Sequence, residues 1–308
     1  MFTPASQHAG TQPTPVHPAS PSPSPTPRFC AKIAPGFSCV IRDRIHDVQR
    51  YLRHTPGSIG IVLHDRATGA TWHNANANAN DEYPAASTMK LAVMTDLLLR
   101  NQRGATDPVH LTRKDWADMY QALYTSDDPD ANALWDEFED TSFLQRIQGF
   151  GMTSAEFTPP PGMAPNWGYM YCTPEDLDHL MNYILHKAPA SVRDYLVNRL
   201  QHVSATDQQW GVWGAGPENH PGNKDGWEQD GTSPHFGPWI TNTIGFASSR
   251  QQYTWPSCTA SGPTTNAGIP ASGTAPTNAP RSPPPSSKAT TPSSLPAPKP
   301  PASPEPPA

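Results

Sequence analysis

The 308-residue sequence contains no stretch approaching the ~20 consecutive apolar residues that a membrane-spanning helix requires, and no positively charged start followed by an apolar run of the secretory kind. It has no basic surplus. The 21 Lys and Arg residues are outnumbered by 27 Asp and Glu, giving a net charge of -6, and no Lys/Arg run or basic helix stands against that balance, which excludes a nucleic-acid protein. Cysteine is scarce as well, with four in all. Neither Cys-x-x-Cys nor His-Glu-x-x-His occurs, so no metal or cofactor is expected. Cys30 and Cys39 are spaced to close a small loop in an oxidising compartment or to remain two free thiols, and Cys172 and Cys258 have no evident partner.

Large apolar side chains are missing from both ends. Residues 1–36 and 257–308 hold 24 of the 39 prolines, mixed with Ser, Thr, Ala and Gly. Such composition does not bury enough apolar surface to offset the entropy of ordering, so both ends read as disordered tails. The remaining core, residues 37–256, is long enough for one well-packed domain, expected as a monomer. Past residue 255 the apolar period does not return. A change of reading frame or an evolved linker would each produce so abrupt a shift.

Within the core, Ile41, Ile45, Val48 and Leu52 recur at helical spacing and Pro56-Gly57 stops the helix. "SIGIVLHD" (58–65) and "ATWHNA" flank the turn "RATG" and predict a hairpin; "NANANAN" (74–80) reads as a strand end or loop. A helix is predicted over 87–100, with Leu91, Met94, Leu97 and Leu98 on its buried face. Thr112 is placed as the cap of a helix over 113–124, and Pro129 opens one over 129–140. Thr173 caps another whose first turn holds Pro174, Glu175 and Asp176. Strands return at 226–229, 239–248 and 251–255. Strands, then helices, then strands imply an α+β fold in which one antiparallel sheet is built from both ends of the core, with a helical lobe inserted.

Ser87 and Lys90 stand one helical turn apart at the mouth of the 87–100 segment. With seven lysines and abundant serine such a pair also arises by chance, as a helix cap followed by a surface lysine. Order argues for more: "YTSDD" brings Ser126, Asp127 and Asp128, and "NKDGW" brings Lys224, Asp225, Gly226 and Trp227. Ser-x-x-Lys, then Ser-Asp-Asn, then Lys-Thr-Gly is the signature of class A β-lactamases and penicillin-binding proteins. Over residues 41–255 the chain resembles that superfamily, including "QQWGVWGAG" (208–216) and "WITNTIGF". The resemblance implies an α/β sandwich of the β-lactamase/transpeptidase kind, with Ser87 as nucleophile and Lys90 as its base. It further implies Ser126 as proton donor to the leaving nitrogen, Lys224 as anchor for a substrate carboxylate, and the N–H groups of Ser87 and Trp227 as the oxyanion hole. The implied substrate is a β-lactam or peptidoglycan-type molecule and the implied location is extracellular or wall-associated.

The same comparison exposes departures. Asp128 stands where the pattern has asparagine; it holds Lys90 charged and, when ionised, offers no hydrogen to a substrate carbonyl, unless it is simply a helix cap before Pro129. Asp225 replaces a hydroxyl or amide beside the pocket that should take a carboxylate. Both changes are expected to reduce activity on acidic β-lactams. The loop 151–174 offers Glu156 alone as a water-activating carboxylate, or as a plain surface residue. A D-Ala-D-Ala carboxypeptidase, an esterase, or a catalytically inactive wall-associated binding protein therefore remain alternatives on the same fold.

Overall fold

A computed structural model of the chain describes residues 30, 32–74, 82–229 and 239–261. The expected tails fall almost wholly outside these residues, as does 75–81. Helix α1 (Cys39–Leu52) is capped by Ser38 and precedes a hairpin of β1 (Ser58–Asp65) and β2 (Ala70–His73). Cys30 and Cys39 are joined as a disulfide at its start. The short β3 (Tyr83–Pro84) leads into a 3-10 turn, Ala86–Thr88, and then α2 (Met89–Arg100). The lobe follows as α3 (Arg113–Tyr124), α4 (Asp128–Phe138), α5 (Phe143–Gln148), β4 (Glu156–Phe157), β5 (Met170–Cys172), α6 (Pro174–His186) and α7 (Ala190–Leu200). The sheet is completed by β6 (Gly222–Gln229), β7 (Trp239–Ala247), β8 (Tyr253–Thr254) and β9 (Ser257–Ala260), all antiparallel, in the order β2, β1, then β8 with β9, then β7, then β6. The fold is α+β, as the order of sequence elements implies.

Strands β8 and β9 are two parts of one run. Asp65 pairs with Tyr253 and Ile61 with Ser257, so the register against β1 never shifts, and the same holds against β7 from Ala247 down to Ile240. The break falls at Trp255-Pro256, where proline has no N–H to give to the ladder. The core therefore extends to Ala260, beyond the boundary at 256 that composition suggested. Residues "SCTA" conceal a period of two: Cys258 and Ala260 are buried inside, while Ser257 and Thr259 alternate with them. Their inner partners are small because the space is filled by Tyr83, which is fully buried. Cys258 and Cys172, both free thiols, lie beside one another there, so the two cysteines without evident partners in the sequence are neighbours. On the other face Thr241 and Thr259 hydrogen-bond to one another, and Thr243 lies beneath the 3-10 turn Gly211–Ala215. That stretch of sheet is hydroxylic rather than apolar.

Two apolar cores flank the sheet. The smaller places Ile45 of α1 with Ile61, Leu63 and Trp72. The larger surrounds α2, in which every residue from Met89 to Leu98 is buried. The expected one-sided burial of α2 is thus too narrow, because α3, α4, α5 and α7 enclose it and leave no solvent face. Enclosure forces its polar residues to find partners. At the far end Asp96 accepts from Arg146 Nε at 2.8 Å and from Arg100 Nη1 at 3.4 Å, and both arginines pair with the fully buried Glu139 that ends α4. Burial, and then Asp96, push the Glu139 carboxyl up to about 8 despite the arginines.

Arg146→Met leaves two buried acids sharing one arginine, a loss of roughly 3–5 kcal/mol. Thermal unfolding should show Tm lowered by about 10 °C, with Arg146→Lys intermediate. A fall of less than about 3 °C would mean that Arg100 compensates the pair alone.

Candidate active site

The lead-in to α2 is held rather than free. Asn242, buried in β7, donates to Pro84 O at 2.8 Å and Ala85 O at 3.2 Å, and Thr88 Oγ1 donates to Ala85 O at 2.5 Å. Ala86 takes φ +48°, a left-handed conformation costly for a residue with a Cβ. This kink turns the half-buried Ser87 out of the helix line. Ser87 sits in the 3-10 turn and caps nothing, and Lys90 is 0 % exposed, so the reading of a cap serine with a surface lysine does not hold.

Lys90 Nζ donates to Ser126 O at 2.6 Å, to Ser126 Oγ at 3.3 Å and to Asp128 Oδ1. Asp128 is the first residue of α4 and faces the site; the cap is Asp127, which accepts from Asp130 N. The indole of Trp167 covers the Lys90 ammonium at 4.7 Å and is fixed by its Nε1–H, which donates to Asn132 Oδ1 at 2.9 Å. Burial pushes the Lys90 pKa below its usual value; Asp128, and behind it Asp127, oppose the shift. Both effects expected from the sequence are present, and burial outweighs the anion.

Ser126 has φ +66°, a second strained non-glycine position. The strain presents its hydroxyl to both lysines at once, since Lys224 Nζ also donates to Ser126 Oγ, at 2.8 Å. Lys224 is fully buried, and its other hydrogen bonds go to Gln208 Oε1 at 3.0 Å and to Asp225 O at 2.6 Å. Burial and then the Lys90 charge push its pKa well below the usual range. Gln208 also accepts from Asp225 N at 2.9 Å. "QQW" drew attention only as part of a pattern, and Gln208 was not picked out as the acceptor that saturates Lys224.

Gly226 lies against the first turn of the Ser87 segment, where a Cβ would stand 2.7 Å from the backbone nitrogens of Ser87 and Thr88. Only glycine permits that approach. It brings the edge strand carrying Trp227 beside the Ser87 N–H, and Trp227 is braced edge-on by Trp210 at 6.3 Å. Asp225 points the other way. It pairs with Thr243 under the 211–215 turn, on the sheet face opposite Lys224, and both its oxygens are sealed from solvent without a well-formed hydrogen bond. Burial pushes its carboxyl up to about 7, against the pull of Thr243, Asn223 and Lys224. Glu156 is exposed in β4 opposite Tyr171, two strands from Pro84, and its electrostatic neighbour is Glu82 rather than Lys90. The place above Lys90 belongs to Trp167, which sequence reasoning did not single out; a lone tryptophan in a Pro-rich loop carries no spacing signal.

The sequence pattern of the beta-lactamase enzyme family matches residues 43–115, which include Ser87 and Lys90. Similar solved structures include a beta-lactamase from Streptosporangium roseum, with 18% identity over 72% of this chain and 91% of that one and a TM-score of 0.55. One from Xanthomonas campestris pv. campestris has 17% identity over 74% and 91% and a TM-score of 0.54. An ancestral class A beta-lactamase has 15% identity over 73% and 92%, also with a TM-score of 0.54. Among curated proteins none matches the sequence. The fold is that of class A β-lactamases. Among the described residues no helix is long and apolar enough to cross a membrane, and no group of His, Cys, Asp or Glu could hold a metal.

Two substitutions test this electrostatic arrangement. Asp128→Asn removes the anion on Lys90 and returns an amide donor, so Ser87 should be acylated about 10-fold faster; an equal or slower rate would show that Asp128 does not restrain Lys90. Asp225 titrates near 7 when folded and near 3.9 when unfolded. Between those values the folded state holds a proton the unfolded state lacks, so stability falls as pH rises from about 4 to 7. The Tm advantage of Asp225→Asn over the parent should therefore widen by about 5–10 °C between pH 5 and pH 8. A pH-independent difference would contradict a carboxyl that burial holds up near 7.

Proposed function

We propose that the protein is a serine hydrolase of the β-lactamase type, working through an acyl-enzyme on Ser87, in which acylation outpaces release. The observation that carries this reading is the Ser126 hydroxyl, which receives hydrogen bonds from two buried ammonium groups whose proton affinities are both lowered. Ser87 Oγ attacks the carbonyl carbon, and its proton passes to Lys90 in the neutral amine form that burial favours, directly or through the Ser126 hydroxyl. The oxyanion is held by the N–H groups of Ser87 and Trp227. The bond to the leaving nitrogen or oxygen then breaks, and that atom takes a proton from Ser126, which Lys90 or Lys224 replaces.

Hydrolysis of the resulting ester needs a carboxylate to activate water. Glu156 is exposed in β4 with no contact to Lys90, and an indole lies over the Lys90 ammonium. General-base assistance is typically worth 10²–10⁴-fold, so the adduct is long-lived. A β-lactam or a peptidoglycan-type peptide is the substrate class the resemblance suggests, acted on outside the cell or at the wall. The second reading, an inactive binding protein, draws on one contact: Asp128 occupies the base.

Intact-protein mass spectrometry after mixing with benzylpenicillin or an activated aryl ester should show an acyl mass on the peptide containing Ser87. It should persist for minutes and be absent from Ser87→Ala. No adduct from either donor would favour the binding protein, and rapid turnover abolished by Glu156→Gln would make Glu156 the hydrolytic base.

A further inference from the structure

A carboxylate on a substrate must be met by a cation that still has a hydrogen to give. Each lysine ammonium has three N–H donors. Those of Lys90 are taken by Ser126 O, Ser126 Oγ and Asp128 Oδ1, and those of Lys224 by Ser126 Oγ, Gln208 Oε1 and Asp225 O. Both nitrogens are sealed from solvent, so neither gains a partner without losing one it already has.

Their charges are also answered. Asp128 stands against Lys90, and the charges acting on Lys224 besides Lys90 are Asp225 and Asp128. The carboxylate that faces the two lysines is Asp128, with Asp127 close behind at the helix cap, while Asp225 acts on Lys224 only from the opposite face of the sheet. Among the described residues no arginine hydrogen-bonds or ion-pairs into this set. What the site does offer beyond its charged groups is aromatic surface at the edge strand, where Trp227 is braced on Trp210.

Building on the acyl-enzyme reading above, we infer that the site selects acyl donors uncharged around the scissile carbonyl, neutral apolar esters or amides, and discriminates against donors bearing a carboxylate. Asp128 enforces the selection: it is paired with the buried Lys90, yet 66 % of its side chain is exposed. An anionic donor meets that carboxylate with, among the described residues, no free cation behind it, and like charges brought together oppose binding. The chemistry is unchanged, with a Ser87 ester formed and a neutral alcohol or amine released with the proton that Ser87 gave up. The same selection disfavours a D-Ala-D-Ala terminus, whose free carboxylate lies next to the bond to be cut.

The test compares benzylpenicillin with its methyl ester, two donors that differ only in the carboxylate, using the rate of adduct formation on the full chain. The ester should acylate Ser87 at least as fast as the acid. Asp128→Asn should raise the acid rate about tenfold more than the ester rate, a change in ratio that a merely structural effect on folding does not produce. An acid rate tenfold above the ester rate, or a ratio unmoved by Asp128→Asn, would overturn the selection while leaving the acyl-enzyme intact. Absence of any adduct, from these two and from an activated aryl ester alike, would overturn both.

Discussion

Two ammonium groups are buried within reach of one serine hydroxyl, and much of the molecule is arranged to make that tolerable. Desolvating a lysine is costly unless it is fully hydrogen-bonded or loses its proton. Lys90 and Lys224 sit on different elements, α2 and β6, so their shared partner Ser126 ties lobe to sheet. Ser126 reaches both because its backbone is left-handed, a conformation held in place by the cap of α4 immediately after it and the end of α3 immediately before. The strain is local, and the elements around it over-determine it.

The same logic reaches the far end of α2. A helix carrying a buried lysine at its start and a buried aspartate near its finish is fixed to α4 twice: Lys90 to Asp128 at the beginning of α4, and Asp96 through Arg100 and Arg146 to Glu139 at its end. These two polar clamps, about two turns apart on α2 and three on α4, tie the helices together at both ends. Below the sheet, Asp178 of α6 accepts from both Thr254 and His64 and joins the last strand run to the first.

How much of this could be read from the residues depended on range. Local signals were strong: Thr112 and Thr173 cap their helices with Asp115 and Asp176 answering three residues on, and Ser87-x-x-Lys90 lies on one element. Signals that depend on the third dimension were silent. Nothing in "SCTA" announces a central strand, because its inward residues are small and its outward ones hydroxylic, the composition of a linker. Asp225 follows Lys224 in sequence, yet a strand sends neighbours to opposite faces, so the acid expected beside the pocket lies behind it. Gln208 and Trp167 act through single contacts to lysines 16 and 77 residues distant in the chain, and no spacing rule connects such pairs.

Trp167 carries the argument one step further. A base that works at neutral pH has to be dry, and an indole laid over Lys90 supplies dryness with a large apolar surface. Hydrolysis of an acyl-enzyme asks the opposite of the same place, a carboxylate and a positioned water. One volume cannot hold both. On the proposed acyl-enzyme route, a tryptophan there, pinned through Asn132, would favour the step that forms the ester over the step that removes it, with Glu156 left exposed in β4.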